Sequence, residues 1–252
     1  MPTKLAIALC ASILITSCAG ATDVPTVAAA PEAEALAMDF KAGELLSIVM
    51  PKIGDGSRDA REDYYMTAFP LAQEHGLKGK GQLRNDGVLI GDYDPDGMIF
   101  YSWPGEKGEA AFTSHPDWPG LKALRSVAWD EVRVYTETLS QPLALRFDPA
   151  KTYTLAIAWT DPDHPGDYAR YMANVIPLLD ALGARVVHIM HNPRFEAHAA
   201  PPEAPERITI IEWPSDDSLN QLRQSAAYKR QLPLFRSGIE RFEFYRIAPA
   251  GS

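Results

Sequence analysis

Residues 153–192 read YTLAIAWTDPDHPGDYARYMANVIPLLDALGARVVHIMHN, which is strand, helix and strand in succession. Residues 153–160 are an apolar run rich in β-branched and aromatic side chains, and Asp161-Pro162 stops it. Tyr168, Tyr171, Val175, Leu178, Leu179 and Leu182 then recur at spacings of three and four, the period of an amphipathic helix, and Gly183 closes it. Pro177 falls inside this helix and predicts a kink or a local break. Residues 185–192 and 208–213 read as the next two strands, 216–234 as a helical region, and 239–247 as a closing strand.

The same order occurs once before. Shifted by 107 positions, Tyr64 falls on Tyr171, Pro70 on Pro177, Leu71 on Leu178, Gly76 on Gly183 and Asn85 on Asn192. Shifted by 110, Trp103 falls on Trp213, Pro104 on Pro214, Leu124 on Leu234 and Tyr135 on Tyr245. The change of register lies between Asn85 and Met98, as expected of a hairpin loop that tolerates insertion. Each half therefore reads βαββαβ, the ferredoxin-like unit, an antiparallel sheet with helices on one face. Its bare face needs a cover, and a second copy supplies one. The expected fold class is α+β: two tandem ferredoxin-like βαββαβ repeats packed as an intramolecular dimeric α/β barrel. The first repeat is expected at 41–140, a connector at 141–152 with Pro142 and Pro149, and the second repeat at 153–248. With both copies in one chain, a monomer is expected.

The second half carries Thr160-Asp161-Pro162, then Tyr168 and Tyr171, Gly183-Ala184-Arg185, Ile211-Glu212-Trp213-Pro214-Ser215 and Ser225-Ala226-Ala227-Tyr228. This succession resembles an uncharacterised bacterial family, a domain of unknown function in the dimeric α/β-barrel superfamily. Its members read TDP, a helix with tyrosines, a Gly-Gly strand, IEFPS and SPEY. The first half is similar more remotely, through His75-Gly76, Trp103-Pro104 and Ser114-His115-Pro116-Asp117-Trp118. The resemblance implies the paired-sheet fold. It does not imply a reaction, because the superfamily holds cofactor-free monooxygenases, isomerases, haem-handling enzymes and binding proteins.

The N-terminus reads as an address. Lys4 precedes an apolar run over 5–15, too short to span a bilayer, and Ser17 stands before Cys18. Ile15-Thr16-Ser17-Cys18 resembles the bacterial lipobox. Residues 1–17 are expected to be a lipoprotein signal peptide, with Cys18 lipidated and residues 18–40, rich in Ala, Pro, Thr and Glu, a flexible tether. An alternative is an ordinary signal peptide cleaved after Ala19 or Ala21. The first reading places the protein in the bacterial cell envelope, lipid-anchored and facing the periplasm, with the membrane as a partner.

Composition removes several mechanisms. The 252 residues carry 33 acidic against 24 basic side chains, a net charge of −9, which is the wrong balance for a nucleic-acid partner. Both cysteines, Cys10 and Cys18, precede the folded body, so neither a disulfide framework nor a cysteine nucleophile is expected there. Walker A, GxGxxG, HExxH, GxSxG and CxxC are absent. His188, His191 and His198 are the densest histidines, yet strand alternation sends 188 and 191 to opposite faces, so no metal and no cofactor is expected. The acidic DYDPDG segment is read as a turn.

The candidate catalytic residues are His188 and Glu212. Imidazole titrates near neutrality, and a carboxylate in the apolar run 208–213 has a raised pKa if it is buried without a partner. Pairing of His188 with a backbone group, or of Glu212 with an arginine, is the structural alternative. Arg84 and His191 occupy equivalent strand ends, Trp103 and Trp213 precede matched prolines, and Tyr171 lies on the duplicated helix; these are the candidate ligand-binding residues. Lys78, Lys80, Arg84 and Arg185 cluster on equivalent strands, which suits an anionic small ligand or a solvated edge. The resulting expectation is a lipoprotein that binds a small organic molecule in or at the mouth of the barrel. Alternatives are a cofactor-independent enzyme of monooxygenase or isomerase type using His188 or Glu212 as base, and an envelope interaction protein marked by exposed apolar area.

Overall fold

Two strands, Leu45–Lys52 and Thr152–Thr160, are shielded from solvent along nearly their whole length. A strand needs cover on both faces to be so apolar, and here helices cover one face and the sheet of the opposite half covers the other. The computed structural model describes residues 35–199 and 203–250. Residues 1–17, expected to be a signal peptide, and Cys18 lie outside the described residues.

The first half runs β1 (Leu36–Phe40), β2 (Leu45–Lys52), α1 (Arg58–Glu74), β3 (Lys78–Ile90), β4 (Gly97–Trp103), α2 (Glu106–Thr113), α3 (Trp118–Ala128) and β5 (Glu131–Thr138). After β6 (Leu143–Phe147), the second runs β7 (Thr152–Thr160), α4 (Asp167–Ala181), β8 (Arg185–His191), β9 (Arg194–His198), β10 (Arg207–Trp213), α5 (Asp216–Gln224), α6 (Ala226–Lys229), α7 (Leu232–Gly238) and β11 (Ile239–Pro249). The fold is mixed α+β with antiparallel sheets. The main sheet has the order β8-β10-β7-β11-β3-β4-β2-β5-β9. Its end strands, β8 and β9, are consecutive in the chain, parted only at Asn192-Pro193, so one kinked segment pairs with β10 at one end of the sheet and with β5 at the other. Asn192 takes φ 47°, a left-handed turn that asparagine tolerates.

One cluster fills the interior. Leu46, Ile48, Met50, Met98, Phe100 and Tyr135 from the first half meet Tyr153, Leu155, Ile157, Ile208, Ile210 and Tyr245 from the second. With β8 and β9 counted as one kinked strand, eight strands surround this cluster. Truncating Phe100, fully buried, to alanine would cost about 3–5 kcal/mol. The same lumen holds an ion pair: Arg133 Nη1 lies 2.8 and 2.9 Å from the two oxygens of Glu243, which also accepts from the Tyr245 hydroxyl at 2.7 Å.

The structure corrects several expectations. Residues 36–40, assigned to the tether, form β1, and the connector 141–152 contains β6, which pairs with it from Leu36↔Phe147 to Phe40↔Leu143. The reason is alternation: Met38 and Phe40 with Leu145 and Phe147 point into the interior cluster. Gly81 lets this ribbon approach β3, since a Cβ there would meet Met38 Cε at 3.0 Å. Pro70 and Pro177 lie inside α1 and α4, and neither helix breaks there. Packing of Tyr64, Ala68 and Ala72 in one, and Tyr171, Val175 and Leu179 in the other, outweighs the lost donor.

Parity along β8 also differs from simple alternation. The pairing shifts between Ile210↔His188 and Ile211↔Val186, a bulge that absorbs Val187. Val187 and Met190 consequently join the interior cluster while Val186 joins the helix-side cluster.

Candidate functional site

Each half keeps a second apolar layer between its helices and the outer face of its sheet, and each layer encloses a cavity. That of the first half is about 110 Å³, bounded by α1, α2, α3 and the strands beneath them. That of the second half is about 380 Å³, roomy enough for a small organic molecule.

The larger cavity is built by periodicity. Odd positions of β10 place Thr209, Ile211 and Trp213 on the helix side, and even positions of β11 place Phe242 and Phe244 there. Helix α4 contributes Tyr168, Tyr171, Met172, Val175 and Leu179, one stripe at helical spacing. Leu219, Leu222 and Arg223 of α5, Tyr228 of α6, and Leu232, Phe235 and Arg236 of α7 complete the wall, with Ile90 reaching in from β3 of the other half. Aromatic edges fix the shape: Tyr168 and Tyr171 stack at 5.9 Å, Tyr171 meets Phe235 at 5.1 Å, and Phe235 meets Phe242 edge-on at 4.9 Å. Helix α7 lies tight against the start of α4. Gly238 permits this, because a Cβ there would fall 2.3 Å from the backbone nitrogen of Tyr168, and Ser237 donates to Asp167 at 2.6 Å.

Its polar groups are few. Trp213 Nε1 donates to Thr154 Oγ1 at 2.9 Å, so the indole is fixed. The Tyr171 and Tyr228 hydroxyls lie 3.4 Å apart. Burial pushes Tyr168 up to about 12, and burial followed by the neighbouring Tyr228 raises Tyr171 further, so both remain protonated donors. Thr209, 1% exposed, has a buried hydroxyl with no hydrogen-bond partner among the described residues. A buried hydroxyl left unpaired costs free energy, and an occupant of the cavity with a polar atom would relieve it. Arg223 and Arg236 are exposed at the edge of the cavity, and among the described residues no carboxylate lines it.

The sequence-derived residues are dispersed over the fold. Tyr171 and Trp213 line the larger cavity, and Trp103 lines the smaller. His188 and Glu212 face the barrel side instead, so the expected union of bases and tryptophans around one lumen is not formed. His188 Nε2 pairs with Glu137 Oε1 across the seam between the halves. Glu212 accepts from Arg185 Nε at 3.0 Å and Nη2 at 2.9 Å, and from the Tyr153 hydroxyl at 3.0 Å. The Arg185 hydrogen bonds hold the Glu212 carboxyl below its ordinary value, against the raised pKa that a general base would need. Arg84 lies on β3 with its Nε 3.3 Å from Asp86 and Nη1 3.2 Å from the Pro249 carbonyl, and His191 is exposed at the end of β8. His198 ends β9 half-buried.

Sequence reasoning passed over Thr209, Tyr228, Phe235, Arg223 and Arg236. Tyr168 and Tyr171 at helical spacing signalled the right wall, but nothing in a single strand identifies which hydroxyl will lose its partner. Among the described residues the exposed large apolar side chains are Tyr65, Met66, Ile90 and Val127, of which Tyr65 and Ile90 line the two cavities.

Residues 152–244 match a family described as a domain of unknown function, DUF1330. No curated protein matches the chain. Among solved structures the chain is similar to an anthrone oxidase-like protein, 11% identical over 85% of this chain and 97% of that one, with a TM-score of 0.48. It is also similar to a chlorite dismutase variant from Candidatus Nitrospira defluvii, 10% identical over 83% and 93%, with a TM-score of 0.42. A dimeric protein of unknown function and ferredoxin-like fold from Bacteroides fragilis is 11% identical over 38% of this chain and 94% of its own, with a TM-score of 0.27.

Proposed function

We propose that this chain is an exported, lipid-anchored binding protein of the bacterial envelope whose larger helix–sheet cavity takes a small organic molecule. The two halves are read as tandem ferredoxin-like βαββαβ repeats packed as an intramolecular α/β barrel. Support comes from their identical strand order, second-third-first-fourth, as β3-β4-β2-β5 and β8-β10-β7-β11. The observation that carries the function is the aromatic cavity of about 380 Å³ with the Thr209 hydroxyl left unpartnered in its wall. This moves the site from the barrel lumen, where His188 and Glu212 lie, to the opposite face of the sheet.

The test is titration of the full chain with N-phenyl-1-naphthylamine, an apolar fluorophore. Saturable enhancement that Val175→Trp abolishes, in a variant that still melts cooperatively, is the expected result. No enhancement, or enhancement unchanged by that filling, removes the cavity from the function. The anchor rests on Ile15-Thr16-Ser17-Cys18. Labelled palmitate incorporated by the chain and lost in Cys18→Ala supports it, and an unlabelled wild type refutes it.

A further inference from the structure

The two cavities differ in charge. The smaller is lined by Glu109, Glu196 and Arg125, and its own residues neutralise one another: Arg125 Nη1 lies 2.8 Å from Glu196, Lys122 lies 3.1 Å from the same carboxylate, and Arg194 pairs with Glu109. Glu196 comes from β9, a segment of the second half paired beside Val134. The residue matched to Val134 by the 110-position shift is Phe244, and its partner across the strand is Ile90. Thus the place of the Glu196 carboxylate over the first cavity is taken by an apolar side chain, 45% exposed, over the second. Among the described residues the second cavity nevertheless carries two cations, Arg223 and Arg236, without an acid in its wall, in a chain of net charge −9.

We infer that the larger cavity is specific for an organic acid, with an apolar ring system among the aromatic side chains and its anionic group at Arg223 and Arg236. The inference rests on the reading that this cavity is the binding site. Arginine presents several donors to a carboxylate, and charge-assisted bonds are the stronger ones. In the first half the carboxylate that meets arginine is built into the chain as Glu196; in the second, the ligand brings it. Thr209, deep in the wall, accepts or donates to a second polar atom of the same molecule.

The experiment compares 2-naphthoate with 2-naphthalenemethanol, near-isosteres that differ in charge, by calorimetric titration of the full chain at low ionic strength. Expected is acid binding at least about tenfold tighter than alcohol, a preference that shrinks with added salt. The ratio of the two affinities should collapse toward one in Arg223→Gln/Arg236→Gln. It should also collapse in Ile90→Glu, which gives the second cavity the carboxylate that the first already has. The ratio is read within each variant, so a smaller folded fraction cancels. Equal affinities in the wild type, or an unchanged ratio in the double variant, overturn the acid specificity while leaving the cavity a binding site. Failure of both compounds to bind, together with no enhancement of the apolar fluorophore, overturns the binding reading and this inference with it.

Discussion

Arg133 on β5 and Glu243 on β11 come from opposite halves of the chain and meet inside the barrel, with side chains only 5% and 6% exposed. The guanidinium also lies 3.7 Å from the centre of the Tyr93 ring and pairs with Glu131. Removing Glu243 takes from the buried guanidinium two of its charged hydrogen bonds, and removing Arg133 leaves the Glu243 carboxylate without them in a low-dielectric interior. Glu243→Ala should cost about 3–5 kcal/mol, whereas Arg133→Met/Glu243→Met should recover a large part of that loss. Urea unfolding of the three proteins checks it; equal losses in the single and double variants would contradict the coupling.

Thr209→Val keeps the shape of a fully buried side chain and deletes a hydroxyl that has no partner. The unliganded protein should gain about 1 kcal/mol, visible as a raised melting midpoint. A lowered midpoint would show that the hydroxyl is satisfied in solution.

Gly238→Ala places a methyl against the backbone of Tyr168, which has no rotamer with which to yield. Helix α7 must move off α4, at a cost of about 1–3 kcal/mol. Because Phe235 and Arg236 move with it, binding of N-phenyl-1-naphthylamine should weaken more than in Gly120→Ala, where the added atom meets nothing within 4 Å. Equal affinities would separate α7 from the cavity.

Glu212 gives a pH-dependent contribution of defined sign. Arg185 lowers its pKa in the fold, so the stabilisation is complete above the unfolded-state value of about 4.3 and is lost as pH falls through the lower folded value. Arg185 is largely exposed, and solvent screening keeps the effect near 1 kcal/mol. Glu212→Gln should therefore be less stable than wild type at pH 7, with the gap closing as the pH drops below about 4. A gap that is constant from pH 7 to 2 would exclude the ionised carboxylate as its source.

The element order was legible because it is local. The aromatic and β-branched run 153–160, the tyrosine spacing at 168 and 171, and the paired Trp-Pro strand ends each occupy one stretch of chain, and the helix–strand alternation follows from them. β1 was missed because a five-residue strand after an alanine-rich segment carries too few alternations to stand out from a tether. The candidate site was half legible. Tyr171 and Trp213 do line the larger cavity, but His188 and Glu212 were assigned to chemistry without their partners, Glu137 and Arg185, which are 51 and 27 positions away.

Periodicity and order, which depend on the chemistry of neighbouring residues, determined that strands and helices alternate along the chain in a mixed α+β fold. Which face of each strand looks inward, the bulge that absorbs Val187, and the ion pairs that join Arg133 to Glu243 and Arg125 to Glu196 were decided only by the tertiary structure. The physical reason is that a strand's two faces are equivalent until something packs on them, and a charged side chain is neutralised by whatever residue the fold, not the sequence, brings within about 3 Å.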